Sequence, residues 1–143
     1  MRLQAAPAGA LKALMAAARK SGYTLVVRSS YRSWSSQKRA YRRDKVLTAP
    51  PGASEHQSGL TVDLAAVRRG RLIRGYGFGS SAAGSWTRRN AADFGFIVRY
   101  PKHQKGVTGI PYEPWHLRYV GVEAARAVVR TPTQTLEKYL RIS

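Results

Sequence analysis

One aspartate stands inside an apolar segment, and its charge restricts how the chain can fold. Asp63 lies in residues 60–64 (LTVDL), which are mainly apolar and therefore predict a short buried strand. Burying a carboxylate costs free energy unless a cation or a metal ion matches its charge. The fold must therefore bring such a partner to Asp63. By spacing alone, one of the many arginines and a metal ion both remain candidates.

Two of the three histidines stand near acids, in segments shaped by glycine or proline. His56 follows the loop at residues 48–53 (TAPPGA), and Gly59 allows the backbone to turn sharply before the strand that carries Asp63. This path can bring His56 and Asp63 to one point. A histidine taken alone is more often a core or surface residue than a ligand, so this pair does not decide the question.

The second histidine segment is Glu113-Pro114-Trp115-His116. An ideal strand would point side chains 113 and 116 to opposite faces. Pro114 keeps Glu113 out of helical geometry, and a bend at the proline would let both side chains approach one metal ion. Alternatively, Glu113 could cap a neighbouring segment or pair with Arg118.

Taken together, the two segments strengthen the hypothesis of a hydrolytic metal site, while the plainer roles of the histidines and of Asp63 stay open. Catalytic zinc commonly has three protein ligands and water in the fourth position. The three ligands would be His56, Asp63 and His116. Glu113 would act as general base toward that water. The chain has no cysteine, which excludes thiolate ligands and disulfide bonds, and His103 is interpreted as a solvated loop residue.

Helical and strand patterns mix along the chain and predict an α+β fold. The short connection between the last two predicted strands favours antiparallel pairing. Strands are predicted at residues 23–28, 60–64, 96–100 and 115–120. Helices are predicted from Pro7 to Ser21, from Ser33 or Ser35 to Asp44, and at residues 85–94, 121–130 and 132–140. Residues 68–84 are predicted as a possible hairpin followed by a loop, and residues 102–111 as a basic loop.

Four motifs in order resemble those of the VanY-like D-alanyl-D-alanine carboxypeptidases. Residues 54–63 (SEHQSGLTVD) resemble the family's zinc motif SxHxxGxxxD, and residues 113–121 (EPWHLRYVG) resemble its ExWH segment. Residues 29–33 (SSYRS) with Gln37 resemble its SGYRS…Q segment, and residues 95–101 (GFIVRYP) resemble GFxxRYP. The one departure, a serine at position 30 where the family commonly has glycine, is a mild backbone change.

The resemblance implies a small antiparallel sheet flanked by helices, the fold shared by hedgehog-type and other zinc peptidoglycan peptidases. Residues 1–143 are expected to form a single catalytic domain. The resemblance also implies that zinc is the cofactor and that Glu113 is the base. Arg32 is expected to reach the scissile carbonyl and stabilise the developing oxyanion.

Two further residues are expected to hydrogen-bond the peptide substrate on the same grounds. They are Gln37 and Ser54. Each has a plainer interpretation, because Gln37 could be a polar residue on a helix face and Ser54 a turn or cap residue. Arg32 could likewise be one more surface arginine, although the motif disfavours this.

The implied reaction is removal of the terminal D-Ala from peptidoglycan stem peptides. An L,D-carboxypeptidase or a peptidoglycan endopeptidase would use the same metal chemistry, and substrate pocket shape would distinguish them. A non-catalytic wall-binding module is a further alternative, but the presence of Glu113 and Arg32 disfavours it.

The formal net charge of +18 predicts anionic surroundings. Peptidoglycan stems and anionic wall polymers would both fit, although an arginine-rich proteome would explain the charge equally well. No motif for specific nucleic-acid binding accompanies it. The chain contains neither a transmembrane run nor a recognisable signal peptide. We nevertheless expect a monomer that acts outside the cytoplasm, in the wall, the periplasm or the medium.

Overall fold

The computed structural model describes residues 2–45 and 48–141. Within these ranges, five strands form one antiparallel sheet flanked by helices, which confirms the predicted fold class. The strands are β1 (Thr24–Ser29), β2 (Thr61–Arg68), β3 (Arg71–Ile73), β4 (Phe96–Tyr100) and β5 (Glu113–Tyr119). The helices are α1 (Ala5–Lys20), α2 (Trp34–Arg43), α3 (Gly75–Ser80), α4 (Ala82–Asn90), α5 (Lys105–Thr108), α6 (Val122–Arg130) and α7 (Leu136–Leu140). Two 3₁₀ turns lie at Glu55–Ser58 and Ala91–Phe94.

The strand that carries Asp63, β2, lies inside the sheet. The strand order is β1-β2-β5-β4, and β3 pairs with the far end of β2. Asp63 pairs with His116 on β5 and, at a register shift, with Ser29 on β1. Strand register therefore brings together two of the predicted ligands that are far apart in the sequence.

One face of the sheet is covered by α1, whose buried residues repeat at helical spacing. They are Pro7, Leu11, Leu14 and Ala18. The two leucines belong to the same core cluster as Val62 and Leu64 of β2. Because side chains alternate along a strand, these two β2 residues face the core while Asp63 faces the opposite side. The apolar residues around the aspartate thus anchor the strand and leave its carboxylate available.

The structure corrects the loop predicted in residues 75–84, which form α3 and the start of α4. Their glycines serve close packing. A Cβ atom on Gly79 would lie 2.5 Å from Cγ of Pro114, and one on Gly84 would lie 1.9 Å from the carbonyl oxygen of Phe78. Glycine in this segment therefore allows α3 to approach β5 and α4, and does not signal an irregular chain.

Most other boundaries follow the sequence signals. Ser33 caps α2 with its side chain, and Gly95 ends the second 3₁₀ turn with φ of 80°. The last helix is shorter than the predicted 132–140, because it begins only after the capping residue Thr135. The predicted basic loop contains one helical turn, α5. Among the described helices, none combines the length and the apolarity needed to span a bilayer.

Candidate metal centre

His56 lies on the 3₁₀ turn that leads into β2. Gly59 ends this turn in the left-handed conformation with φ of 70°, a conformation that glycine adopts readily. The imidazole is 5% exposed, and its Nδ1 lies 2.8 Å from the carbonyl oxygen of Ser30. A carbonyl can only accept, so Nδ1 carries the proton and Nε2 is left with its lone pair. That Nε2 lies 3.2 Å from Oδ2 of Asp63.

His116 uses its other ring nitrogen toward the same aspartate. Its Nδ1 lies 3.1 Å from Oδ1 of Asp63, and its Nε2 lies 3.3 Å from Oε2 of Glu55. Each histidine therefore has one nitrogen directed at Asp63 and the other held by an oxygen acceptor. Outer hydrogen bonds of this kind fix the ring orientation of metal-binding histidines.

The geometry of these donor atoms suits a zinc ion. One ligand atom from each of the three residues lies within 4.8 Å of the other two; the residues are His56, Asp63 and His116. Zinc binds nitrogen and oxygen at about 2.0–2.2 Å, which places tetrahedral ligand atoms about 3.4 Å apart. The two histidine–aspartate distances already have nearly this spacing. The three predicted ligands therefore fit the metal.

The electrostatics of the cluster also favour a cation. Burial by itself would raise the pKa of Asp63, but hydrogen bonds from His116 and His56 outweigh it and hold the pKa well below its usual range. Burial by itself would lower the pKa of His116, whereas hydrogen bonds to Asp63 and Glu55 raise it to about 9. The acids thus stabilise positive charge at the centre of the cluster, and a metal ion would supply it.

Glu113 lies beside this cluster because β5 departs from regular pairing. The register with β4 shifts between Val98 and Tyr100, so that Tyr100 pairs with Glu113 next to Pro114. Oε2 of Glu113 then lies 3.6 Å from Nδ1 of His116. This irregularity of β5 lies next to Pro114, where a bend was expected. Burial raises the pKa of the Glu113 carboxyl, and the charge of Asp63 adds to the rise, which strengthens it as a base.

Arg32 is held firmly at the edge of the cluster. Its backbone N–H donates to the carbonyl of His56 at 3.1 Å. Its guanidinium donates to Oε1 of Gln37 at 2.9 Å and to the Ser29 hydroxyl at 3.2 Å. The arginine is half-buried and makes no ion pair within residues 2–45 and 48–141. Its positive charge is therefore available to a ligand.

Gln37 is placed differently from the expectation of direct peptide contact. Its side chain is 0% exposed, and its Nε2 donates to the carbonyl of Ala49 at 2.6 Å while its Oε1 accepts from Arg32. Both ends are thus engaged by the protein. In this structure Gln37 therefore contacts Arg32 and the loop at Ala49, and its contact with a peptide stays a prediction.

Ser54 begins the 3₁₀ turn that carries His56. It occupies the position of an N-cap, but its hydroxyl makes no capping hydrogen bond. The residue is half-buried, and its hydroxyl has no hydrogen-bond partner among the described residues.

A buried network of charges lies behind His116, and it was not predicted from the sequence. Glu55 accepts from Nε of Arg99 at 2.9 Å and lies 3.3 Å from Nη1 of Arg118. Arg99 also donates to both carboxylate oxygens of Glu137 on α7, at 3.0 and 2.6 Å. Burial would raise the pKa of Glu55, but the hydrogen bond from His116 and the charge of Arg99 lower it to about 2. Glu55 is therefore an ionised acceptor for His116.

One signal in the sequence pointed to this network. Arg99 stands inside the apolar segment 96–100, just as Asp63 stands inside residues 60–64. The argument that a buried charge needs a partner therefore applied to both residues. The identity of the partners, Glu55 and Glu137, depends on contacts between segments 38 or more residues apart.

The aromatic ring of Tyr100 closes one side of the cluster. Its centroid lies 5.0 Å from that of His116, and the guanidinium of Arg99 lies 5.0 Å from its centre. Burial raises the pKa of Tyr100 to about 12, and the charge of Glu55 adds to the rise. Its hydroxyl is therefore a protonated hydrogen-bond donor at neutral pH.

Comparison with known proteins relates this site to a family. Residues 1–122 match the family model VanY, described as D-alanyl-D-alanine carboxypeptidase. The chain belongs to the VanY family. The Bacillus subtilis (strain 168) protein YodJ is 44% identical over 141 residues, which cover 92% of this chain and 51% of YodJ. The chain thus spans about half the length of this VanY relative.

Two solved structures share the fold closely. The LdcB LD-carboxypeptidase superposes with a TM-score of 0.86 at 42% identity, over 97% of this chain and 68% of that one. A mutant of the vancomycin resistance D,D-pentapeptidase VanY, in complex with Zn(II), superposes with a TM-score of 0.84 at 32% identity, over 96% and 83%. The resemblance predicted from the four motifs is therefore confirmed for both family and fold.

Proposed function

We propose that this chain is a zinc-dependent D-alanyl-D-alanine carboxypeptidase that removes the terminal D-Ala from peptidoglycan stem peptides. The observation that carries the proposal is the convergence of three zinc-type donors with the carboxylate of Glu113 beside them. The donors come from His56, Asp63 and His116. The Zn(II) complex of a VanY structure supports the choice of metal.

The protein residues would divide the work of hydrolysis among them. When bound, zinc supplies Lewis acidity toward the attacking water and the scissile carbonyl. Oε2 of Glu113 accepts the proton of that water as the new C–O bond forms. The same carboxyl returns the proton to the leaving nitrogen of the terminal D-Ala as the C–N bond breaks. No covalent intermediate with the protein is needed.

Arg32 would stabilise the negative charge that develops on the carbonyl oxygen. A donor that is already oriented stabilises such a charge better than a mobile one, since little reorganisation accompanies the reaction. Gln37 and Ser29 provide this orientation through their hydrogen bonds to the guanidinium. The free hydroxyl of Ser54 would contact the peptide.

Glu55 would act on the reaction through His116. Its carboxylate accepts from Nε2, which leaves the lone pair of Nδ1 for the metal. Arg99 and Glu137 in turn hold Glu55 in place. These three residues are positioning residues, since they contact the ligand histidine or one another.

The second candidate is an L,D-carboxypeptidase, which would cleave after an L-residue with the same site. The observation that favours it is the 42% identity to the LdcB structure, against 32% to the VanY structure. In either case the proposed substrate is peptidoglycan, and we propose that the protein acts outside the cytoplasm. We further propose that residues 1–143 act as one catalytic domain and as a monomer.

Product analysis on defined stem peptides tests the reaction. Purified zinc-loaded protein is incubated with a pentapeptide ending in D-Ala-D-Ala and with the tetrapeptide that lacks the last residue. Release of one D-Ala from the pentapeptide alone is expected, and a strong chelator should abolish it. Cleavage of the tetrapeptide alone would establish the L,D alternative. Full activity in the metal-free protein would reject the zinc mechanism.

A further inference from the structure

A cavity lies near the metal centre, beside the adjoining ends of β4 and β5. Its volume is about 520 Å³, and residues of α3, α4, β4 and the α6–α7 connection line it. Three of its lining residues are close in sequence to residues of the site. Pro101 and Lys102 follow Tyr100, and Tyr112 precedes Glu113. None of the proposed metal ligands lines it. It is therefore a separate space that adjoins the proposed catalytic residues.

The charge of this cavity has one sign. Its lining includes Arg88 and Lys102 but no aspartate or glutamate. Nζ of Lys102 lies 5.4 Å from the ring centroid of Tyr112, and the charge of Arg88 opposes the rise that burial causes in the pKa of Tyr112. Arg88, Lys102 and Tyr112 all line the cavity, so both positive charges act within it.

Several polar groups in the cavity have no protein partner among the described residues. The side chains of Ser85 and Gln104 make no hydrogen bond, and Arg88 makes neither a hydrogen bond nor an ion pair. By contrast, Glu55 and Arg99 in the network behind His116 each have two or more charged partners. Unpaired donors that face one cavity suit a ligand rich in oxygen acceptors.

We propose that this cavity binds an oxyanion, phosphate or carboxylate, carried on a sugar or polyol. Arginine and lysine recognise such anions through charge-assisted hydrogen bonds. The hydroxyl of Ser85 and the amide of Gln104 suit the hydroxyl groups of the carrier. The volume falls within the range of about 300–1,000 Å³ typical of small-molecule sites and exceeds what a single inorganic anion fills. The proposal depends on the cavity alone and is independent of the metal chemistry.

The chain offers a matched pair of arginines for the test. Arg88 and Arg89 are neighbours in the last turn of α4, and both are exposed. Only Arg88 lines the cavity. Arg88→Ala and Arg89→Ala each lower the net charge by one. A difference in anion affinity between the two variants would therefore arise from contacts in the cavity and not from the net charge of the protein. Lys102→Ala and Lys105→Ala form a second such pair, since Lys105 lies outside the lining.

Calorimetric titration at low salt measures the binding. The probes are glycerol 3-phosphate, glucuronate and neutral glycerol. Wild-type protein should bind one or both anions and not glycerol. Arg88→Ala should weaken that binding about tenfold or more, the equivalent of one charge-assisted hydrogen bond. Arg89→Ala should stay within about twofold of wild type. A preference for glycerol 3-phosphate identifies a phosphate source, and a preference for glucuronate identifies a carboxylate source.

Three results would overturn the proposal. They are equal weakening by Arg88→Ala and Arg89→Ala, unchanged binding in Arg88→Ala, and the absence of anion binding in the wild type. Arg88→Gln and the Lys102 pair cover the case in which Arg88→Ala fails to fold. Hydrolysis of a short soluble stem peptide, measured in parallel, should be unaffected by Arg88→Ala. If neither the wild type nor any variant hydrolyses the peptide, the proposed function is contradicted, but the result on anion binding still stands.

Discussion

The charges behind His116 and those on the surface near α6 show two different uses of ionisable side chains. Arg99, Glu55 and Glu137 have side chains 12%, 17% and 18% exposed, and each pairs with at least one other member of the group. Arg126 and Asp93 are 54% and 58% exposed and form a single ion pair. A buried charge requires several partners to offset its desolvation, so it holds its neighbours in defined positions. An exposed charge is screened by water and contributes mainly to the net field.

The largest effect is expected at Glu113, the proposed base beside His116. Glu113→Ala removes the proposed proton acceptor, and loss of a general base typically lowers turnover about 10²–10⁴-fold. Steady-state kcat on the susceptible stem peptide measures this. Zinc content should be unchanged, because the three ligands remain. Near-normal turnover in a zinc-loaded variant would reject Glu113 as the base.

The buried network should affect metal binding and not only stability. Glu55→Gln weakens the acceptor for Nε2 of His116, and loss of such an outer partner typically lowers metal affinity about 10–100-fold. Competition with a coloured chelator measures the zinc affinity. Glu137→Gln should give a smaller decrease, because it acts through Arg99. Glu123→Gln, an exposed acid on α6, is the control and should change nothing. Equal zinc affinity in all three variants would make the network purely structural.

The pH dependence of zinc binding follows from His116. Without metal, hydrogen bonds to Asp63 and Glu55 raise the pKa of His116 to about 9, against a burial effect that lowers it. Below that pH the metal must displace a proton from Nδ1, so the apparent affinity should increase as the pH rises toward 9, by up to about tenfold per unit. Zinc titrations at pH 6 to 9 test this. A flat profile would show that His116 is neutral in the metal-free protein.

The same pKa shifts predict how the metal-free fold responds to acid. The pKa of Glu55 lies at about 2, below its ordinary value of 4.5. A lowered pKa contributes stability that is fully present above 4.5 and is lost as the pH falls toward 2. Thermal unfolding of wild type and Glu55→Gln, each without metal, should therefore differ at pH 6 and converge near pH 2. A difference that persists at pH 2 would point to packing and not to charge.

The smallest effect is expected at the exposed pair. Arg126→Ala breaks only the contact with Asp93, and exposed ion pairs contribute about 0–1 kcal/mol. Chemical denaturation should give nearly the same free energy of unfolding as for wild type, and activity should not change. A decrease of several kcal/mol in the free energy of unfolding would show that this exposed pair stabilises the fold as strongly as a buried one.

The parts of the site that could be predicted are those in which a short sequence pattern restricts the conformation or the partners of its own residues. An aspartate among apolar residues, a histidine after a proline-rich loop and an acid before Pro114 each restrict their own surroundings. The strand at residues 96–100 and the stop at Gly95 were predicted correctly for the same reason. The helices at residues 75–84 were missed, because the glycines that allow tight packing against Pro114 and Phe78 resemble loop glycines in a sequence.

The sequence by itself determined the donor chemistry of this protein and the family to which it belongs. Residue types and short spacings are local properties, so the sequence alone contains them. Tertiary structure alone decided which histidine nitrogen faces Asp63, that Gln37 holds Arg32, and that Glu137 on the last helix supports Glu55. These depend on strand register and on packing between distant segments, where a shift of one residue would turn each side chain to the other face. The same long-range packing encloses the cavity of Arg88 and Lys102, whose scattered lining no motif could have indicated.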